Sequence, residues 1–218
     1  MNIHGKMKTY KTIFFDWNNT LSTSLFWDQW KDPEHPRHEW YVPLSRYLLG
    51  ENMPTVMEWM RGKVTAEDIA ALLGDRFGYS QEIIFQDLKE SCETMRLVSD
   101  EVLPLVRKLR SGGVKCVIAT DNMDTFTRFT VPALRLSEHF DGVLNSFEMG
   151  MLKFDTEGDS IPFFDEYLEK NNVKYKDAVL IDDCIDTSGT YEKLGLDILR
   201  VFSPDDFVGK LKQFVLEK

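Results

Sequence analysis

A doubly wound α/β core interrupted by an all-helical insertion is the fold class this sequence predicts. Three observations carry the prediction. Short apolar runs at 12–15, 114–119, 142–144 and 178–181 are continuous rather than alternating, as in strands buried on both faces of a parallel sheet. From about residue 100 onward such runs alternate with helix-period segments. Between residues 22 and 97 the alternation stops, and tryptophan, methionine and leucine recur at helical spacing with no strand among them.

In chain order, residues 1–8, MNIHGKMK, read as a disordered leader. The first strand, TIFF, runs into Asp16 and a polar turn. The insertion follows, with Trp59 and Met60, then Ile69, Leu72 and Leu73, then Ile83, Ile84 and Leu88 as its apolar stripes. Such stripes mark a packed helical core. Thr65 to Asp68 has the form of a capping box, with aspartate in place of the usual glutamate. A helix over 100–109 carries Val102, Leu103, Leu105, Val106 and Leu109, and Gly112 and Gly113 end it before the second strand. Helices over 161–170 and 187–194 precede the later strands. A fifth strand is expected over 198–202, and a last helix over 205–215 starts beside Pro204. The domains are then a core of residues 9–21 and 98–218 and an insertion of 22–97.

The bulk composition limits function. The 218 residues are 43% hydrophobic and 28% charged, which suits one globular core with a modest insertion. A net charge of -10 argues against a nucleic-acid partner, because neutralising phosphates needs basic surface. It leaves a small anionic ligand open, since a site can be locally positive. No apolar run approaches the ~18 residues of a membrane span. Cys92, Cys116 and Cys184 form no CxxC pair and no zinc-like spacing with the four histidines. Their odd number and the lack of a signal peptide predict a cytoplasmic protein.

In open α/β sheets ligands bind beyond the carboxyl ends of the strands. The residues that follow the strands are therefore the candidates: Asp16, Asn18 and Thr20; Thr120, Asp121 and Asn122; Asn145 and Ser146, with Lys153 further on; and Asp182 and Asp183. Singly, each is an ordinary turn, cap or solvated side chain. Together, after successive apolar runs, they describe a site. Three converging carboxylates repel unless a cation offsets them, and hard oxygen ligands suit Mg2+. The Thr120 hydroxyl and Lys153 ammonium would hold a phosphate, and Asp16 would attack phosphorus as a carboxylate nucleophile.

At these residues the sequence resembles the haloacid dehalogenase superfamily of hydrolases, in the subclass with an α-helical C1 cap. FFDWNNTL resembles the first motif, mapping the nucleophile onto Asp16 and the threonine onto Thr20. VIATDN resembles the second, with its phosphate-binding hydroxyl at Thr120 and Asp121 beside it; GMLKFD the third, with its lysine at Lys153. VLIDDCIDTSGTYEKLG resembles the fourth, with metal ligands at Asp182 and Asp183 and Gly195 closing the helix. WMRGKVTAEDIAALL resembles the cap, which places a cap domain at 22–97. The resemblance implies a Rossmann-like core, a small phosphorylated substrate and Mg2+ held by Asp16, the backbone carbonyl of Asn18, Asp182 and Asp183.

Three departures bear on function. Asn18 stands where the family's phosphatases have the aspartate that protonates the leaving oxygen and activates water. Asp121 stands where a neutral residue is common, and a carboxylate beside a phosphate is unfavourable unless it turns away or pairs with Lys153. FDTEGDSIPFF after Lys153 is longer and more acidic than usual. The expected function is a Mg2+-dependent phosphatase slowed by Asn18. The alternatives are a catalytically weak phosphate-binding or regulatory protein, and a dehalogenase or phosphonatase, whose members also lack the second aspartate. His35 and His38 are candidates for a replacement acid from the insertion, Arg37 and Arg61 for contacts to a distal anion, and Lys31 and Lys63 for a phosphonatase-type lysine; for all six a solvated surface role is the default.

Overall fold

The computed structural model describes residues 8–216, so the expected leader, apart from Lys8, lies outside the described residues. Five strands form one sheet: β1 (Thr12–Phe15), β2 (Lys115–Thr120), β3 (Gly142–Asn145), β4 (Ala178–Asp182) and β5 (Asp197–Arg200), in the spatial order β3-β2-β1-β4-β5. Every neighbouring pair is parallel. β1 is central and buried throughout, which is why TIFF has no polar face. Ile13 and Phe15 point with Cys116, Ile118, Val179 and Ile181 into one apolar cluster; Phe14, Val117, Ala119 and Leu180 join the other. Alternate side chains thus meet helices on both sides, the arrangement of a Rossmann-like α/β fold.

The order of strands locates the crevice. From β1 the chain passes to β2 and β3 on one side, then returns to β4 and β5 on the other. The switch point lies between β1 and β4, where Phe15 pairs with Ile181 and the next residues are Asp16 and Asp182.

Residues between β1 and β2 form helices α1 (His38–Arg46), α2 (Met53–Met60), α3 (Ala66–Phe77) and α4 (Gln81–Glu93), with no strand among them. The capping box of α3 is present in full: Thr65 Oγ1 accepts the Asp68 N–H, and the Asp68 carboxylate accepts the Thr65 N–H at 2.8 Å. Trp27 stacks on Trp30 with centroids 5.5 Å apart, and their indole N–H groups donate to Ile84 O (3.0 Å) and Asp87 Oδ2 (2.7 Å). Arg37 is not a surface residue waiting for an anion, because its guanidinium is paired with the buried Asp87.

α5 (Val102–Ser111) leads into β2, α6 (Pro162–Lys170) into β4, α7 (Thr190–Leu194) into β5, and α8 (Pro204–Leu216) packs against α5. Several expected boundaries shift by one to three residues, among them the helix expected over 100–109, which is Val102–Ser111; two of the shifts have a visible cause. The helix expected from residue 187 starts at Thr190, because Asp186 accepts the N–H groups of Ser188, Gly189 and Tyr191 and caps it. The last strand covers Asp197–Arg200 rather than 198–202; the Phe202 N–H turns away to the Asp206 carboxylate at the start of α8.

One buried carboxylate ties the insertion to the core. Asp124, 3% exposed, accepts from Trp59 Nε1 (2.7 Å), the Ala66 N–H (3.3 Å) and Arg128 Nη1 (2.5 Å). Replacing Asp124 by alanine strands two buried donors, each costing about 1–3 kcal/mol. We expect Asp124→Ala to lower the unfolding free energy by about 2–6 kcal/mol in a urea titration.

Candidate active site

The turn after β1 is set by its own backbone. The Asp16 N–H still bonds Ile181 O (2.9 Å), as a strand residue would. The Asp16 carbonyl then accepts from Leu21, and the Trp17 carbonyl from Ser22 (2.8 Å), closing a tight loop. Asn19 supplies the left-handed residue the loop needs, with φ 54°, a conformation asparagine tolerates. The loop turns Asp16 toward β4.

Lys153 reaches the same place from the segment after β3. Its ammonium lies 2.5 Å from Asp16 Oδ1 and 2.6 Å from Asp182 Oδ2. Lys153 is 3% exposed, Asp16 5% and Asp182 0%, so the three charges are held out of water and must satisfy one another. The lysine backbone is fixed at both ends: its N–H donates to Asp121 Oδ1 (2.8 Å) and its carbonyl accepts from Tyr191 Oη (2.5 Å). Asp121 therefore pairs with the main chain of Lys153. Asp182 Oδ1 accepts the Cys184 N–H (2.8 Å).

The other candidates lie around this cluster. Thr20 and Thr120 are fully buried, and their hydroxyls have no hydrogen-bond partner among the described residues. Asp183 sits further out, accepting from Asn19 Nδ2 (3.1 Å). Asn18 is exposed and lines a cavity of 180 Å³ with Trp17 and Asp121. The insertion brings no histidine to that cavity. His38 Nδ1 lies 2.8 Å from Trp30 O, and His35 Nδ1 accepts the Arg37 N–H. Arg61 is committed to Asp155, two residues beyond Lys153, and Lys31 to Asp28.

Burial shapes the charges. It pushes the Asp16 carboxyl up to about 7; Lys153 pulls against this, while Asp182 and Asp121 add to it. Burial works to discharge Lys153, but Asp16, Asp182 and Asp121 outweigh it and hold the ammonium charged well above its ordinary range. Burial pushes the Asp121 carboxyl up as well.

The donor set fits Mg2+. Ligand atoms of Asp182, Asp183 and Cys184 lie within 4.8 Å of one another, with Asp16 across the switch point. Burial and the neighbouring aspartates push the Cys184 thiol up to about 12, which disfavours a thiolate ligand and leaves the carboxyl oxygens as donors, and hard oxygens are what Mg2+ takes. A pH dependence follows. The folded metal-free protein binds the Asp16 proton more tightly than the unfolded chain, so its stability falls as pH rises from 3.8 to about 7. We expect Mg2+ to raise the melting temperature more at pH 8 than at pH 5, and Asp16→Asn to remove most of that difference in a scanning measurement.

The family model of haloacid dehalogenase-like hydrolases matches residues 10–187. The chain belongs to that family. Solved structures agree on the fold of this haloacid dehalogenase-like hydrolase. A predicted family hydrolase of Porphyromonas gingivalis is 16% identical, with TM-score 0.67, over 97% of this chain and 100% of that one. A family enzyme of Bacteroides thetaiotaomicron in complex with magnesium and inorganic phosphate is 15% identical, with TM-score 0.61, over 89% and 95%. L-2-haloacid dehalogenase of Xanthobacter autotrophicus, with chloropropionic acid covalently bound, is 14% identical, with TM-score 0.62, over 96% and 87%. A search of curated protein sequences finds no match. No described helix of the hydrolase is long and apolar enough to cross a membrane.

Sequence reasoning missed two groups that brace the candidate site: Tyr191, on the Lys153 carbonyl, and the pairing of Arg61 with Asp155 beside it. The acidic run after Lys153 was the signal for Asp155, but nothing local marks its partner.

Proposed function

We propose that this hydrolase is a Mg2+-dependent phosphatase of a small phosphorylated substrate, and that it turns over slowly. The observation that carries the reading is the buried ammonium of Lys153 between Asp16 and Asp182 at the switch point of the sheet. An Asp16 carboxylate oxygen attacks phosphorus; the ester P–O bond breaks, and the leaving oxygen takes up a proton. Water then attacks the aspartyl-phosphate and restores the carboxylate. Lys153 holds Asp16 in place and offsets its repulsion from the phosphate. The buried Thr120 hydroxyl, without a protein partner, donates to a phosphate oxygen. The insertion at 22–97 acts as the cap over the substrate. Asp16, the Asn18 carbonyl, Asp182 and Asp183 would hold Mg2+, which supplies charge stabilisation of the phosphoryl oxygens.

Asn18 favours a second reading, a phosphate-binding protein with little turnover, because an amide does not titrate in the useful range. Hydrolysis of an aryl phosphate with and without Mg2+ tests the proposal. Activity that needs the metal supports it. Tight phosphate binding with no hydrolysis, in the natural chain and in Asn18→Asp, selects the second reading. Metal-independent turnover of a 2-haloacid overturns both.

A further inference from the structure

The cavity beside Asn18 narrows the substrate class, on the reading that the site takes a phosphate ester. The insertion contributes Leu25, Phe26, Met60 and Met95 to its wall, and the core contributes Trp17 and Met123, with Leu49 at 43% exposure. The polar lining is Asn18, Ser24, Asp121 and Asn122. Part of that polarity is already used: the Ser24 hydroxyl accepts the Arg96 N–H, Asn122 Oδ1 accepts the Met123 N–H, and Asp121 Oδ1 accepts the Lys153 N–H. The sole ionisable lining group is Asp121, a carboxylate. Among the described residues no lysine, arginine or histidine lines the cavity, and the nearby Arg61 is paired with Asp155.

We infer that the group esterified to the phosphate is uncharged and largely apolar, an aryl or short alkyl group of about four to seven carbons. Three arguments converge. Size is the first: apolar cavities of about 150 Å³ hold a benzene ring, and this one measures 180 Å³. Charge is the second. A distal carboxylate or second phosphate would face Asp121 with no lining cation to offset the repulsion. Desolvation is the third, because polyol hydroxyls would lose water against indole, phenyl and thioether groups that accept no strong hydrogen bond. The methionines at the wall adapt to different outlines, so the selection acts on polarity more than on shape.

Binding and turnover test this separately. Calorimetry on the natural protein with Mg2+ compares phenylphosphonate with phosphonoacetate, one distal group apolar and the other anionic. The expected result is binding of phenylphosphonate about tenfold or more tighter. Leu49→Lys, at a half-exposed position that tolerates a charge, is expected to reverse part of that preference. Equal binding, tighter phosphonoacetate binding or no binding of either overturns the inference. Turnover is read on phenyl phosphate and butyl phosphate against glycerol 3-phosphate and phosphoglycolate. Equal or better kcat/KM for the polar esters also overturns the inference. Hydrolysis of none of the four by the natural chain or by Asn18→Asp, with the phosphonate preference intact, sinks the phosphatase reading and leaves the apolar selectivity standing.

Discussion

Asn18→Asp is expected to raise Mg2+-dependent hydrolysis of an aryl phosphate by about 100-fold, the low end of what a positioned general acid–base contributes. Position 18 lies two residues beyond the proposed nucleophile, Asp16, is exposed, and lines the cavity with Trp17 and Asp121. A carboxyl group there would give a proton to the leaving oxygen and later accept one from the attacking water. The natural amide does neither. The insertion offers no substitute, since its contributions to the cavity are serine, leucine, phenylalanine and methionine. Asp121 is the remaining ionisable group in the lining, and one of its oxygens is committed to the Lys153 N–H. Steady-state kinetics should place the gain mostly in kcat, because phosphate recognition is unchanged, and should give the variant a new acidic limb in its pH profile. An unchanged kcat would mean that proton transfer does not limit the natural chain.

Asp16→Asn is expected to lower the same activity by about 10⁴-fold or more, as removal of a nucleophile does. Because the proposed natural rate is low, the loss is best measured on the Asn18→Asp background, where a wider window is expected. The fold should survive: Lys153 keeps Asp182 at 2.6 Å, and the backbone pairing of residue 16 with Ile181 does not involve the side chain. In the absence of Mg2+, inorganic phosphate should bind at least as tightly as before, because one negative charge has left its neighbourhood. Acid-stable labelling of the protein by a phosphoryl donor should vanish. Residual activity above about a hundredth of the parent would sink the assignment of Asp16 as nucleophile.

The strands were legible because a strand inside a parallel sheet must be apolar on both faces. β1 ends where its apolar residues end, and β4 runs one residue past its own, to Asp182. β5 was placed less well for the same reason. It is an edge strand, and its Asp197 side chain binds Lys8 and Tyr10 at 2.7 Å each, so a charge stands where a run was sought. The aspartates at the strand ends could be listed, but not their neighbours. Nothing local says that β4 lies beside β1, yet that adjacency sets Asp182 next to Asp16. Lys153 meets Asp16 across 137 residues. Asp124 was invisible for a similar reason, since its partners Trp59 and Ala66 lie in a separate helical segment and form no pattern with it. Short-range chemistry, such as the Thr65 capping box, was readable because both partners lie within one turn.

Trp17 stands beside Asp16, packs on Phe126 with centroids 5.0 Å apart and forms part of the cavity wall. Of the other four tryptophans, Trp27, Trp30 and Trp59 are fully buried and hydrogen-bonded elsewhere, Trp40 stacks on Tyr79, and none of them lines the cavity. The molecule therefore carries its own optical probe of occupancy. A ligand that fills the wall touches one indole directly and the other four at most through their neighbours, and a titration followed by intrinsic fluorescence, with Trp17→Phe as the blank, would read binding without a label and without turnover.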